Sequence, residues 1–125
     1  MRRLRTFWRR ADGGAAIEYA IILPAFISLI VGGLCAGNLA FAVNSLHYAV
    51  QDAARCAAVK TTVCTDSAST VTYAQSRYAG PQISAAFSST NAGCGHTVTA
   101  TGSYPILLAA ATINVPISAS ACYPG

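Results

Sequence analysis

A single carboxylate, Glu18, lies near the start of a long apolar run in this sequence. Because a charge in the hydrocarbon of a bilayer costs about 2.5–3.5 kcal/mol on insertion scales, such a residue calls for a partner or a function. Gly13 lies five residues before Glu18, and Tyr19 follows it directly. The alternative is that Glu18 lies at the level of the lipid headgroups and is simply solvated.

The remaining chemistry-bearing residues form no catalytic pattern in the sequence. His47 and His96 occur without an H-E-x-x-H motif, and the whole chain contains only four acidic residues. Neither a G-x-S-x-G elbow nor a P-loop is present. A serine nucleophile needs an adjacent base and an orienting group. We therefore expect no catalytic residue and no cofactor, and we interpret both histidines as solvated or core residues.

Glu18 has to be positioned by a long apolar helix. Between Ala15 and about Val43 it is the only charge, and this run exceeds the roughly 20 residues that cross a bilayer. The run is also longer than the apolar core of a cleaved secretory signal. Helical spacing then continues with four apolar residues on one side of the helix: Leu46, Val50, Ala53 and Ala57. We predict one helix over residues 15–57, whose first part spans a membrane and whose second part packs against a head.

Pro24 and three glycines complicate this helix. Proline removes one backbone hydrogen bond and clashes with the preceding turn, so we expect a kink near residues 20–24. Gly32, Gly33 and Gly37 admit two interpretations. They permit local bending and close helix–helix approach, or they reflect the higher frequency of glycine in membrane helices.

Charge is distributed unevenly along the chain. The net charge of +4 belongs to residues 1–12, where Asp12 opposes five arginines: Arg2, Arg3, Arg5, Arg9 and Arg10. A basic segment before a span predicts a cytoplasmic N-terminus and an exported C-terminal part. A nucleic-acid-binding arm would not normally run into a membrane-length helix, so we expect no nucleic-acid partner. With 54% apolar and 10% charged residues, the chain has too few charges for the surface of an ordinary soluble domain.

The pattern after residue 57 predicts a small α+β head. A short helix is expected over residues 68–79, with Asp66 or Ser67 as its cap and Gly80-Pro81 as its stop. Three segments alternate in the manner of strands: residues 83–87 weakly, then 97–104 and 115–121. A turn is expected at 91–95 and the end of a strand at Pro105. The apolar residues 106–111 predict either a short helix or a loop tip.

Five cysteines add a constraint on the head. Cys35 lies in the middle of the span, where a cysteine packs as a small apolar residue. The other four fall on the exported side and predict two disulfides with three possible pairings: Cys56, Cys64, Cys94 and Cys122. If the last two strands are antiparallel neighbours, Cys94 meets Cys122, which leaves Cys56 for Cys64. Zinc is the rival ligand, but no C-x-x-C pair exists and we expect no metal site.

The residues around Glu18 also resemble a known family. Residues Gly13–Gly33 are similar to the N-terminal segment of TadE-like minor pseudopilins of tight-adherence (Flp-type, type IVb) pilus systems. The shared order is small residues, Glu-aromatic-Ala, aliphatic residues and Leu-Pro, as in Ile17–Pro24. Ala53–Ala58 resembles the Ala-Arg-rich helix end of that family, and Ile117–Ala121 resembles its terminal strand. Major Flp pilins share the Glu-Tyr pair, but they are shorter and lack an appreciable exported domain.

The resemblance implies a cleavage site and an assembly charge. A prepilin peptidase would cut after Gly13 or, because the glycine is duplicated, after Gly14, and would remove all the leader arginines. Cleavage after Gly13 places Glu18 at mature position five. There the family assigns Glu18, with Tyr19 beside it, to assembly, and its carboxylate would pair with the free α-amino group at Gly14 of a neighbouring subunit.

The resulting hypothesis is a pilin-like lollipop with three parts: a basic leader (1–13), a long helix (14–57) and an exported head (58–125). A minor pseudopilin of this kind lies in the bacterial inner membrane with a periplasmic head, or in the extracellular pilus. Its partners would be the prepilin peptidase, other pilin and pseudopilin subunits, the inner-membrane assembly platform and membrane lipid. The alternative is an unprocessed single-span anchor whose exported domain binds a ligand or an envelope partner. An exported hydrolase is a third, weaker hypothesis.

Overall fold

A computed structural model describes residues 13–108 and 111–125. Five elements follow in order: α1 (Gly13–Val59), α2 (Ser67–Arg77), β1 (Ala86–Ala92), β2 (Gly95–Leu108) and β3 (Ala111–Tyr123). The strands form one antiparallel sheet in the order β1-β2-β3. The predicted α+β fold class is confirmed. The basic leader, apart from Gly13, lies outside the described residues, as do Ala109 and Ala110 of the predicted apolar tip.

The chain divides into two compact units within α1. The first unit ends at Ala36, and the second runs from Gly37 to Gly125. The second unit therefore includes the rest of α1 together with α2 and the sheet, whereas the sequence placed the start of the head at residue 58.

The part of α1 in the first unit is apolar on every side. Ile21, Ile22 and Leu23 are consecutive, so their side chains point in three different directions, and they are 71%, 60% and 56% exposed. No described residue of this unit is fully buried. A helix that is apolar all round requires apolar surroundings, either a protein core or a membrane.

The part of α1 in the second unit buries a single face. The buried positions follow helical spacing and are mostly alanines: Ala42, Leu46, Ala49, Val50, Ala53, Ala54, Cys56 and Ala57. Five of them, Ala42, Leu46, Val50, Ala53 and Ala54, share a hydrophobic core with residues on the inner face of the sheet: Val98, Ala100, Ile117 and Ala119. Cys56 and Ala57 form a second, smaller cluster with Cys64.

Helix α2 begins at the cap that the sequence offered first. The Asp66 carboxylate accepts the backbone N–H of Ser69 at 2.7 Å, and the Ser69 hydroxyl accepts the backbone N–H of Asp66 at 3.0 Å. The hydrogen bond that the Ser69 backbone N–H donates to the carboxylate is the largest cause that lowers the pKa of Asp66. The helix ends at Arg77, two residues earlier than predicted, because Tyr78 is extended and the backbone N–H of Ala79 donates to the Ser45 hydroxyl on α1.

The first strand differs from its predicted position. The sequence placed a weak strand at 83–87 and a turn at 91–95, but β1 runs from Ala86 to Ala92. The turn contracts to Gly93-Cys94, and Gly95 has a φ of 125°, which glycine adopts without strain. At the other end, a Cβ on Gly102 would lie 3.2 Å from the carbonyl oxygen of Ser84. The chain before β1 therefore crosses close to β2 at Gly102 instead of pairing with it.

The prediction that Pro105 ends its strand is wrong, and the reason is the limited length of β1. Pairing with β1 stops at Thr101, so β2 has only β3 beside it from Gly102 onward. Antiparallel pairs alternate in the direction of their N–H groups, so Pro105 fits with its ring nitrogen toward the open side. Pro116 pairs with Ser103, which lies two residues before Pro105, so the two pairs are of the same type. The ring nitrogen of Pro116 therefore points toward the outer side of β3. Residues 106–108 consequently extend β2, and Ala111 belongs to β3; neither a helix nor a loop tip begins at residue 106.

Two disulfides cross-link the second unit. Of the three pairings left open, the structure has Cys56–Cys64 and Cys94–Cys122, with Cα–Cα distances of 5.8 and 6.5 Å. The first joins the end of α1 to the loop before α2, and the second joins the β1–β2 turn to the end of β3. Loop-closure estimates give about 2.6 and about 3.6 kcal/mol of stabilisation for loops of these lengths. Cys35 carries no disulfide.

Two leucines of α1 test whether only its second part contributes to the core. Leu46 is completely buried in the core, whereas Leu34 is 65% exposed in the first unit. We expect Leu46→Ala to lower the free energy of unfolding of the second unit by about 2–5 kcal/mol, since it leaves a cavity. The matched Leu34→Ala should leave it unchanged. Denaturant titration of the full chain in detergent, followed by near-ultraviolet circular dichroism, measures both. Equal losses for the two variants would contradict this account of the core.

Candidate functional site

Gly13 and Gly14 open helix α1 and are both exposed. A Cβ placed on either glycine would meet no atom within 4 Å. Packing within the described part of the chain therefore does not require glycine at these positions.

Glu18 lies in the second turn of α1 among exposed apolar side chains. Ile17, Tyr19 and Ile21 around it are 64%, 73% and 71% exposed. Within residues 13–108 and 111–125 the one ion pair joins Arg77 to Asp52, so Glu18 has no ion-pair partner in that part of the chain. Residues four apart share a helix face, which puts Glu18 on the same side as Gly14. The carboxylate is available to a cation from another molecule.

Pro24 lies inside α1 without interrupting it. The Ser28 hydroxyl donates to the Pro24 carbonyl at 2.7 Å, so this polar side chain is satisfied within its own helix. Proline supplies no N–H to the carbonyl of Ala20, which is the physical basis for bending at this point. The kink itself stays a prediction. Gly32, Gly33 and Gly37 have open space around their missing side chains, so close approach by another helix also stays a prediction.

A second polar site, which sequence reasoning missed, joins α1 to α2. Four residues form it and are called the Arg77 cluster here: Tyr48, Asp52, Tyr73 and Arg77. Arg77 donates from Nε to the Asp52 carboxylate, and the Tyr73 hydroxyl donates to the same oxygen at 3.1 Å. The guanidinium lies 5.9 Å from the ring centre of Tyr48 and 5.7 Å from that of Tyr73. One cation thus contacts two aromatic rings and one carboxylate.

The electrostatics of the Arg77 cluster favour a structural role. The pKa of Arg77 is raised by its hydrogen bond and attraction to Asp52, so the guanidinium stays charged. Partial burial, and then the hydrogen bond to Asp52, raise the pKa of Tyr73, so the phenol keeps its proton at neutral pH. The sequence did contain a signal for this site. Each helix contributes an aromatic and a charged residue four positions apart, and such pairs share a face.

The two histidines lie apart from any catalytic arrangement. His47 is exposed on α1, and His96 is half-buried in a cleft of about 210 Å³ that Asp66 and Asn91 also line. The Asp66 carboxylate in that cleft already caps α2. Among the described residues, no three histidines, cysteines or acids come close enough to hold a metal ion.

Comparison with known proteins bears on α1 in particular. The family model described as TadE-like protein matches residues 13–55, about a third of the chain, from the first residue of α1 almost to its last. The resemblance seen at Gly13–Gly33 is thereby confirmed. No curated protein matches the chain. No solved structure matches it either.

The Arg77 cluster predicts the titration of Tyr73. Its pKa lies above the ordinary value of about 10, so the folded chain holds this proton where the unfolded chain loses it. The stabilisation is therefore complete below the unfolded pKa and is lost as the pH rises through the folded pKa. Burial also raises the pKa of Tyr78, so we expect absorbance titration to show two late tyrosinate transitions, of which Tyr73→Phe removes one. Asp52→Asn should move that transition only part of the way down, since burial is the larger cause. Loss of a transition near the ordinary tyrosine pKa in Tyr73→Phe, with both late transitions kept, would contradict the assignment.

Proposed function

We propose that this chain, whose long helix matches the TadE-like family, is a minor pseudopilin of a tight-adherence (Flp-type, type IVb) pilus. The family match supports the broader part of this proposal, a structural protein associated with a pilus. The narrower part, a subunit that is processed and then packs into a pilus, is supported by the start of α1. The observation that carries it is an exposed Glu18 without an ion-pair partner in the described chain, four residues after Gly14.

Membrane anchoring is supported by the length and surface of α1. The helix has 47 residues, or about 70 Å at 1.5 Å per residue, and contains an apolar segment long enough to span a bilayer. Exposing the apolar side chains of the first unit to water costs free energy, whereas placing them in hydrocarbon does not. The basic leader predicts that residues before Gly13 stay in the cytoplasm and that the second unit is periplasmic.

Processing is supported by the open surroundings of the two glycines. A peptidase has to hold the chain in an extended form at the bond it cuts, and glycine opposes this least. Cleavage between Gly13 and Gly14 would create an α-amino group one helical turn before Glu18. A neighbouring subunit would then offer this amine to Glu18, and low dielectric surroundings make the pair strongly preferred over two separate charges.

The second unit supports a role in packing. Two disulfides and the Arg77 cluster hold its elements in a fixed arrangement, and the Asp66 cap fixes the start of α2. A unit of this kind can present a constant surface to other pilin and pseudopilin subunits and to the assembly platform. Within this proposal the chain acts by insertion and association.

Processing can be tested with a matched pair of glycine variants. We expect mass spectrometry of cells that carry the peptidase to find a chain starting at Gly14 with α1 retained. Gly13→Leu should accumulate the intact precursor, while Gly14→Leu is still cut and starts at residue 14. A Cβ at either position would meet no atom within 4 Å in the described structure, so a folding defect is not expected. An intact leader in the unaltered chain would instead favour a permanent single-span anchor.

The role of Glu18 can be tested separately from processing. We expect Glu18→Gln to be cut normally and to keep both disulfides, because Glu18 lies far along the chain from the second unit. Its amount in sheared pili should nevertheless fall about tenfold or more, since breaking a buried ion pair costs about 3–5 kcal/mol. Glu18→Asp should restore part of the loss, and Ser28→Ala is the control for altering a polar group in the same helix. Normal incorporation of Glu18→Gln would overturn the assembly role.

A further inference from the structure

A cleft of about 350 Å³ opens where the chain before β1 crosses the β2–β3 hairpin. It lies where β2 has only β3 beside it, from Gly102 onward. Gly102 lets the crossing segment come close, since a Cβ there would lie 3.2 Å from the carbonyl oxygen of Ser84. Three segments of the second unit supply the six residues of its wall: Gln82, Ile83, Ser84, Ser103, Pro105 and Asn114.

The wall of this cleft combines two amides, two hydroxyls and two apolar side chains. An amide offers a carbonyl oxygen as acceptor and an NH₂ group as donor, and a hydroxyl can do either. Gln82, Ser84 and Asn114 are exposed, so their polar groups are open to a ligand. Ile83 and Pro105 supply apolar surface beside them. A ligand that carries hydroxyl groups around C–H surfaces can use both kinds of contact.

No charged side chain lines the cleft in the part of the chain that the structure describes. From residue 78 to residue 125 the sequence contains no aspartate, glutamate, lysine or arginine, and His96 is its one histidine. Phosphate and carboxylate ligands are typically held by arginine or lysine, and organic cations by carboxylates or aromatic rings. The chemistry of the cleft therefore favours an uncharged ligand.

The cleft opens onto a sheet face that carries hydroxyl groups. Side chains two apart on a strand share a face, and directly paired residues of neighbouring strands share it too. Ser103, Pro105 and Asn114 belong by this rule to the face on which the Thr99 and Ser120 hydroxyls contact each other at 3.2 Å. The row of hydroxyls from residue 97 to residue 103 covers about 20 Å along β2. This face, called the hydroxyl face here, has five further members besides Ser103: Thr97, Thr99, Thr101, Ser118 and Ser120.

An extended peptide is the main competitor for the open edge of β2 beside the cleft, and Pro105 disfavours it. Peptides that add a strand to a sheet are held by backbone hydrogen bonds. Pro105 has no N–H to offer on this open side, so the added ladder would be interrupted at the cleft. Sugar hydroxyls need no regular ladder, because each can donate to or accept from whichever side chain lies in reach.

We propose that the cleft and the hydroxyl face form one binding site for an uncharged oligosaccharide. Gln82 and Asn114 hydrogen-bond one sugar in the cleft, and Ile83 and Pro105 contact its C–H surface. Further sugars of the same chain lie along the hydroxyls of β2. This inference goes beyond the proposed pilus role and depends on neither processing nor membrane anchoring, because every residue of the site belongs to the second unit.

Nuclear magnetic resonance of the full chain, labelled with ¹⁵N, tests this inference. The chain is held in phosphocholine detergent micelles, since detergents with sugar headgroups would compete for the site. The probes are cellohexaose, maltohexaose and N-acetylchitohexaose, which are uncharged and differ in linkage or substituents. The side-chain NH₂ signals of Gln82 and Asn114 report on the cleft. Those of Asn91, in the cleft of about 210 Å³, and of Gln75, exposed on α2, are matched controls.

The proposal expects at least one of these sugars to shift the NH₂ signals of Gln82 and Asn114 and to leave those of Asn91 and Gln75 in place. Asn114→Ala and Gln82→Ala should each weaken the binding about tenfold, and Gln75→Ala should not. Asn114→Asp, which keeps the shape of the side chain but removes its donor, should weaken the binding as well. Added salt should leave the affinity unchanged, because neither partner is charged.

The absence of a shift with all three sugars would overturn the proposal. Shifts confined to Asn91 would overturn it in favour of the other cleft, and shifts that appear on concentrating the chain without sugar would do so in favour of a second copy. Unchanged affinity in both Asn114→Ala and Gln82→Ala would also overturn it. None of these outcomes bears on cleavage of the leader or on Glu18, so the proposed pilus role stands or falls separately.

Discussion

One helix has to satisfy two different surroundings, and the rest of the structure follows from this constraint. Up to Ala36, α1 is apolar on all sides and buries nothing. From Ala42 onward it buries one stripe of mostly alanine residues against the sheet. The same backbone continues through both regimes without a break, so only the pattern of side chains marks the change. The sheet and α2 cover this buried stripe, and the two disulfides cross-link the elements around it.

That stripe makes a thin core, because alanine buries little apolar area per residue. Leu46, Val50 and Val98 are the largest apolar side chains that are fully buried. Cross-links therefore take a larger share of the stability than they would in a domain with a leucine-rich interior. The Arg77 cluster adds a polar contact between the two helices. Its site is partly exposed, so an apolar pair there would have left apolar surface in contact with water.

The sequence predicted elements whose signals are local and missed those that depend on a neighbour. Helix α1 and the cap at Asp66 were visible, because periodicity and capping chemistry lie within a few residues of one another. The start of β1 was not, since the close approach of Gly102 to Ser84 joins distant parts of the chain. Whether Pro105 ends a strand depends on how far β1 extends beside it. The Arg77 cluster likewise needs the docking of α2, although Glu18 and Gly13 stood out from spacing alone.

The two prolines of the hairpin have a consequence for crowding. Open strand edges invite strands from other chains, and the result is aggregation through a shared sheet. Pro105 and Pro116 each remove a backbone N–H donor from an open strand edge. A strand from another copy that paired with this edge would lack one hydrogen bond at each proline. At these positions, copies of the chain at high local concentration would consequently be hindered from joining their sheets. Association between copies is then left to surfaces other than these two strand edges.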